Sequence, residues 1–126
     1  LEQIPVLAID DSADTLQLLQ RYTTATRYRL VGTCDPEQGL RLAEQIAPQV
    51  IVLDVMMPHV DGWEVLGRLR QYSRTNQIPI VVCTILAQRD LALLLGANDF
   101  VRKPITRAEF LRALDRQIER TASEPG

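Results

Sequence analysis

Two short apolar runs in this chain each end in aspartate. Val6-Leu7-Ala8-Ile9 leads into Asp10-Asp11, and Val50-Ile51-Val52-Leu53 leads into Asp54. Uninterrupted apolar runs of this length read as strands buried on both faces of a parallel sheet. If the two strands lie side by side, three carboxylates converge on one edge of that sheet. At ~4 Å and an effective dielectric of about 20, each pair of carboxylates costs about 4 kcal/mol. Such a cluster needs a cation, and an all-oxygen site suits Mg²⁺ or another hard divalent metal.

Positioning these acids requires the elements around them, and the chain alternates strand and helix five times. Strands are expected at residues 5–9, 28–32, 50–53, 80–84 and 100–101. The second mixes polar and apolar residues and reads as a sheet edge. A first helix starts at Ser12, with Leu16, Leu19 and Thr23 on one face. A second opens on Asp35 as N-cap, with Pro36 at its first position and Glu37 in its first turn. Its apolar face is Leu40, Ala43, Ile46 and Ala47, and Pro48 stops it.

A loop over residues 55–60 precedes Asp61-Gly62-Trp63-Glu64, which reads as a capping box for a helix burying Val65, Leu66 and Leu69. The fourth helix spans roughly residues 88–95 and ends at Gly96. Thr106-Arg107-Ala108-Glu109 reads as a second capping box, and the last helix buries Phe110, Leu111, Leu114 and Ile118. The polar tail, residues 121–126, is expected to fray. This pattern predicts an α/β fold, a doubly wound five-stranded parallel sheet of flavodoxin-like (βα)5 type. The strand order 2-1-3-4-5 follows by analogy with known sheets and places strands 1 and 3 side by side at the topological switch point. Ligands bind there, outside the carboxyl ends of the strands.

Two further residues join the same edge. Thr84 closes the fourth strand, and Lys103 follows the fifth and precedes Pro104. Three acids, a hydroxyl and a lysine suit an incoming phosphoryl group. A metal offsets acid repulsion, lysine pairs with a phosphate oxygen and threonine donates a hydrogen bond. One carboxylate then serves as nucleophile and forms an acyl phosphate. Asp54, alone at a central strand end, is the best candidate.

Asp10-Asp11, Asp54, Met57-Pro58, Asp61-Gly62, Thr84, Gly96-Ala97 and Lys103-Pro104 together resemble a response-regulator receiver domain of the CheY-like superfamily. The resemblance runs from about residue 5 to 118. Each motif is weak alone; their joint order at strand ends is specific. It implies that Asp54 accepts a phosphoryl group from a histidine kinase or phosphotransfer domain. It also implies that Asp10, Asp11, Asp54 and the Met56 backbone carbonyl hold Mg²⁺. Lys103 would pair with the phosphate, across a cis bond to Pro104, and Thr84 and Phe100 would move on phosphorylation. The output would be a population shift of the surface built by helix 4, strand 5 and helix 5, which is also a possible homodimer face.

The chain departs from the family pattern after Thr84. Ile85 stands where a small residue is usual, and the stretch from Thr84 to Gly96 is about one helical turn short. Ile85, Met56 and Leu86 would flank the phosphate with apolar surface. Narrowed access and a slowly hydrolysing acyl phosphate are the expected consequences.

At 126 residues, 46% hydrophobic and 24% charged, the chain reads as one globular, soluble domain over residues 1–126, with its core at about 5–118. A net charge of −2 gives no footprint for nucleic acid or an anionic membrane. Cys34 and Cys83 lack CxxC spacing, which favours a reducing, cytoplasmic location. No stretch has the ~20 apolar residues of a membrane span. The chain opens on Leu1 and is expected to be a piece of something longer.

The main competing reading is a pseudo-receiver that binds proteins without taking phosphate, favoured by Ile85 and the shortened helix 4 region. An aspartate-nucleophile phosphatase would want an Asp two positions after Asp54, where Met56 stands. A flavodoxin-like electron carrier would want a phosphate-cradling loop where Asp10-Asp11 would repel phosphate. The residues disfavour both, and the chain is expected to be a phosphoacceptor signalling domain rather than an enzyme. His59 has no second His or Cys placed to complete a metal site and reads as a solvated loop residue.

Overall fold

The central strands are buried on both faces, and their side chains enter the two faces alternately. The structure is a computed structural model that describes residues 3–123. Strand β1 (Ile4–Ile9) sends Leu7 and Ile9 to one face and Val6 and Ala8 to the other, and all four are fully buried. The same two-residue period in β3 (Val50–Leu53) and β6 (Ile80–Thr84) divides the core in two. One layer takes Leu7, Ile9, Ile51, Leu53, Ile80 and Val82. The other takes Val6, Ala8, Val50, Val52, Val81 and Cys83.

Helices cover both faces because both are apolar. Helices α1 (Ala13–Thr23) and α5 (Arg107–Ser123) cover the second layer through Leu19, Phe110, Ala113 and Leu114. Helices α2 (Pro36–Ile46), α3 (Gly62–Gln71) and α4 (Arg89–Leu94) cover the first through Leu40, Ala43, Val65, Leu66, Leu69 and Ala92. With β2 (Tyr28–Thr33) and β7 (Asp99–Arg102) at the edges, the sheet is parallel throughout, in the order β2-β1-β3-β6-β7. Counting only these five strands, this is the expected 2-1-3-4-5 order. The loop after β3 holds a two-residue antiparallel ladder that the sequence reading lacked, β4 (Met56–Met57) with β5 (Val60–Asp61). His59, exposed at its turn, takes a φ of 62°.

The caps follow their residue types, with corrections. The Thr106–Glu109 box is complete: Glu109 N–H donates to Thr106 Oγ1 at 3.1 Å, and Thr106 N–H donates to Glu109 Oε1 at 3.3 Å. At α3 the box is one-sided. Asp61 accepts from Trp63 N–H at 2.9 Å, but Glu64 makes no return bond. Ala47 is not on the apolar face of α2; it is the exposed, left-handed C-cap, with φ at 46°. Residues 121–123 are drawn as the exposed last turn of α5, with Thr121 Oγ1 donating to the Gln117 carbonyl at 2.9 Å. Residues 124–126 of the expected tail lie outside the described residues. Helix α4 has only six residues and no side-chain cap. It buries Ala92 and leaves Leu93, Leu94 and Leu95 exposed, so the leucine run does not face one core.

Two close approaches fix the elements that carry the site. Gly39 of α2 lies against Ile9, where an added Cβ would meet Ile9 Cδ1 at 2.6 Å. Gly62 is more demanding: its Cβ would sit 2.2 Å from Val55 Cα and 2.4 Å from the Val55 carbonyl oxygen. Backbone cannot yield as a flexible side chain can. Arg70, half-buried, clamps the other end of the sheet. Its guanidinium donates to the carbonyls of Gly96 and Ile78 at 2.8 Å each and to Asn98 Oδ1 at 2.6 Å.

Gly62→Ala should therefore destabilise the chain by about 2–3 kcal/mol, within the overpacking range. Gly67→Ala, on the same helix with nothing within 4 Å of its added Cβ, should be neutral or stabilise by up to about 1 kcal/mol. Urea unfolding of the two variants checks both. Equal stabilities would show that the Val55 approach carries no constraint.

Candidate functional site

Strand register brings the acids together. Ile9 of β1 pairs with Leu53 of β3, so Asp10 and Asp54 are the next residues on adjacent strands. Their backbones still belong to the sheet: Asp10 N–H donates to the Thr33 carbonyl at 3.1 Å, and Asp54 N–H to the Ile9 carbonyl at 3.0 Å. Neighbouring strands lie about 5 Å apart, so the two side chains share one space. Both are buried, at 3% and 5% exposure, and Asp11 beside them is exposed.

The two buried carboxylates are held alike. One oxygen of each accepts a backbone N–H two residues ahead: Ser12 to Asp10 Oδ1 and Met56 to Asp54 Oδ1, both at 2.9 Å. The other oxygen of each accepts from Lys103. Its Nζ is 2.8 Å from Asp10 Oδ2 and 2.9 Å from Asp54 Oδ2. Lys103 reaches this position because Thr84 pairs with Arg102, making it the first residue past β7. Its N–H donates to the Thr84 carbonyl at 2.9 Å, and its peptide bond to Pro104 is cis.

Burial and charge oppose each other here. Burial raises the pKa of Asp10 above the ordinary carboxylate value and outweighs the hydrogen bonds from Lys103 and Ser12. Burial by itself would lower that of Lys103, but its bonds to Asp10 and Asp54 win and hold the ammonium above its usual value. Beneath them on β6, burial pushes the Cys83 thiol up to about 12, which removes it as a nucleophile at neutral pH.

Asp10, Asp11 and Asp54 each offer an oxygen within 4.8 Å of the others. Two buried carboxylates and one exposed one make an all-oxygen donor set of the kind hard divalent cations take, so the residues present fit such an ion. Met56 contributes its N–H to Asp54, and its carbonyl enters the ligand set only through the resemblance.

The remaining candidates lie around this centre rather than in it. Thr84 is fully buried, and its hydroxyl accepts from Leu86 N–H at a long 3.4 Å rather than bonding the acids. Phe100 is buried on β7 with the Arg89 guanidinium carbon 5.9 Å from its ring centroid, and it makes no hydrogen bond to the cluster. Ile85 and Met56 are 54% and 48% exposed, while Leu86 is half-buried against the core. Sequence reasoning passed over Ser12, whose amide orients Asp10, and Arg89. The N-cap position was a usable signal for Ser12; nothing local in the sequence pairs Arg89 with Phe100.

Comparison with known proteins agrees with this geometry. The family profile described as response regulator receiver domain matches residues 6–115. A probable transcriptional regulator ycf27 of Guillardia theta is 36% identical over 123 residues, covering 93% of this chain and 47% of that protein. The chain thus spans about half of that regulator's length. An uncharacterized 14.6 kDa protein of Leptolyngbya boryana is 34% identical over 116 residues, covering 89% of this chain and 88% of the other. The receiver domain of the sensor histidine kinase PA1611 from Pseudomonas aeruginosa superposes with a TM-score of 0.83 at 28% identity, over 93% of this chain and 98% of that one. In that structure a magnesium ion is coordinated in the active-site cleft. With its parallel sheet, its acids at the strand ends and its lysine between them, the chain belongs to the response regulator receiver domain family.

Proposed function

We propose that this chain is a phosphoaccepting receiver, one module over residues 1–126, that takes a phosphoryl group onto Asp54 from a histidine kinase or phosphotransfer domain. The observation that carries this reading is the Lys103 ammonium shared between Asp10 and Asp54. In the proposed step an Asp54 oxygen attacks the phosphorus of a phosphohistidine. The P–N bond breaks, and the imidazole leaves with the electron pair. Met56 N–H holds the other Asp54 oxygen, which orients the nucleophile. Lys103 then exchanges its bond to Asp54 for one to a phosphoryl oxygen.

Asp10, Asp11, Asp54 and the Met56 carbonyl would hold Mg²⁺, whose charge offsets carboxylate repulsion and binds the transferred group's oxygens. Thr84 would leave its weak contact with Leu86 N–H and donate to the phosphoryl group. Phe100 would move inward with it, shifting the population of the α4–β7–α5 surface. Signalling rather than substrate turnover is the role, although the domain would promote its own phosphorylation and dephosphorylation. The unpaired Cys34 and Cys83 accord with a cytoplasmic setting.

A phosphorylation-independent binding module is the second reading. It is favoured by Ile85, 54% exposed directly after Thr84, and by the six-residue α4. Under the first reading these apolar side chains, with Met56 and Leu86, would instead keep water from the acyl phosphate.

Incubation with acetyl phosphate should give a single Mg²⁺-dependent phosphoryl adduct by intact mass, absent from Asp54→Asn. A folded wild type that takes no adduct from acetyl phosphate or phosphohistidine donors favours the binding module. The adduct should persist for minutes or longer, and Ile85→Ala should shorten its lifetime severalfold; a wild-type half-life of seconds rejects shielding.

Asp10 also makes stability depend on pH and metal. Its folded pKa is raised above 3.8, so folding takes up a proton between that value and the raised one. The Asp10 contribution to stability is therefore largest below 3.8 and is lost as pH rises through the folded pKa. At neutral pH, Asp10→Asn should be at least as stable as wild type. Mg²⁺ at tenfold its Kd should stabilise wild type by about 1.4 kcal/mol and leave Asp10→Asn nearly unchanged. Thermal unfolding with and without Mg²⁺ reads both effects.

A further inference from the structure

Lys103 is the only lysine in the chain, and its ammonium must meet two buried carboxylates at once. Moving that ammonium by about 1 Å away from either acid takes the bond beyond hydrogen-bond range. The segment that carries it, residues 103–106, joins β7 to α5 and belongs to neither. At one end Lys103 N–H is fixed to the Thr84 carbonyl, and at the other Thr106 is fixed by the Glu109 cap. Pro104 between them has no N–H to offer.

The remaining tie comes from another element. Tyr22, in the last turn of α1, donates its hydroxyl to the Ile105 carbonyl at 2.8 Å. That carbonyl takes no other hydrogen bond among the described residues. Ile105 is buried, and so is Phe110, whose ring centroid lies 6.3 Å from that of Tyr22. Packing thus holds the Tyr22 ring while its polar end reaches the segment. Ile105 is two residues from Lys103, and the proline between them has a locked φ. Anchoring Ile105 therefore limits where the Lys103 backbone can sit. A second bond runs the opposite way, from Arg107 Nε to the Tyr22 carbonyl at 3.2 Å. It joins the same two helices, but it is exposed and lies beyond Ile105.

We propose that Tyr22 is a positioning residue for phosphoryl transfer: its hydroxyl, through Ile105, holds the Lys103 ammonium between Asp10 and Asp54. The rate effect of this anchor rests on the reading of Asp54 as phosphoacceptor. Tyr22 makes no hydrogen bond to the acids and acts through Lys103 alone. During transfer the lysine meets charge developing on the phosphoryl oxygens. A misplaced ammonium therefore slows the step rather than weakening donor binding. A tyrosine that only braced α1 against α5 would matter no more than Arg107, which braces the same pair.

The test compares wild type, Tyr22→Phe and Arg107→Ala, each shown native by circular dichroism at the working temperature. Tyr22→Phe keeps the ring on Phe110 and removes the hydroxyl alone. With ¹⁵N-lysine labelling, the single Nζ signal belongs to Lys103. Its ammonium proton exchange reports how firmly the side chain is held, with no phosphoryl donor present. Exchange should quicken severalfold in Tyr22→Phe and stay at the wild-type rate in Arg107→Ala. With acetyl phosphate and Mg²⁺, phosphorylation at saturating donor should slow by about tenfold in Tyr22→Phe. The half-saturating donor concentration should stay unchanged. Unchanged exchange or rate in Tyr22→Phe, or equal effects from Arg107→Ala, would overturn the proposal. So would a change confined to the half-saturating concentration. A wild type that takes no phosphoryl group rejects the Asp54 reading and the rate effect with it. The Nζ exchange then decides by itself whether Tyr22 positions Lys103.

Discussion

The structure turns on one conflict: two buried carboxylates, Asp10 and Asp54, on adjacent strands, with one ammonium between them. Desolvated like charges at this spacing oppose folding, and Lys103 offsets that opposition only because its Nζ reaches both. Everything that sets the distance between the three is therefore under constraint. The β1–β3 register aligns the two acids, and the β6–β7 register delivers the lysine from the far strand. Backbone amides at Ser12 and Met56 donate to the remaining carboxylate oxygens, so every oxygen of the two acids has a hydrogen-bond partner.

The core positions that edge. Its two layers fill by strand alternation, and the helices approach closely where side chains are missing. At Gly39 the helix backbone closes on Ile9, the residue before Asp10; at Gly62 it closes on Val55, the residue after Asp54. The two glycines thus press from the α2–α3 side on the strand ends that carry the site. Burial holds the Asp10 carboxyl above its ordinary value, so its charged form opposes folding at neutral pH.

Strand β7 joins the acidic pocket to a groove lined by Arg89, Phe100, Arg102, Arg112 and Arg116. Lys103 closes the pocket, Arg102 beside it faces the groove, and Phe100 on the same strand forms the groove floor under Arg89. Strand β7 is four residues long, so a shift at its carboxyl end reaches the groove within one or two residues. Short α4, with a single buried residue and no side-chain cap, is the least anchored wall of that groove.

Much of this was legible from residue order. Apolar runs ending in Asp10 and Asp54 fixed the strand ends, because a strand buried on both faces must be apolar throughout. Capping residues at Asp35 and Thr106 and the stop at Pro48 marked helix ends, because their chemistry acts within one turn. The sequence by itself therefore determined the parallel sheet and which side chains stand at the carboxyl ends of its strands. The return bond of Glu64 and the place of Ala47 were misread, since these depend on how each terminus meets its neighbours. Only the tertiary structure decided that Lys103 bridges both acids, that Gly62 needs its bare Cα, and that Arg89, Arg102, Arg112 and Arg116 form one groove. Those residues come from different elements, and distance in space between elements is set by packing, not by any local period in the chain.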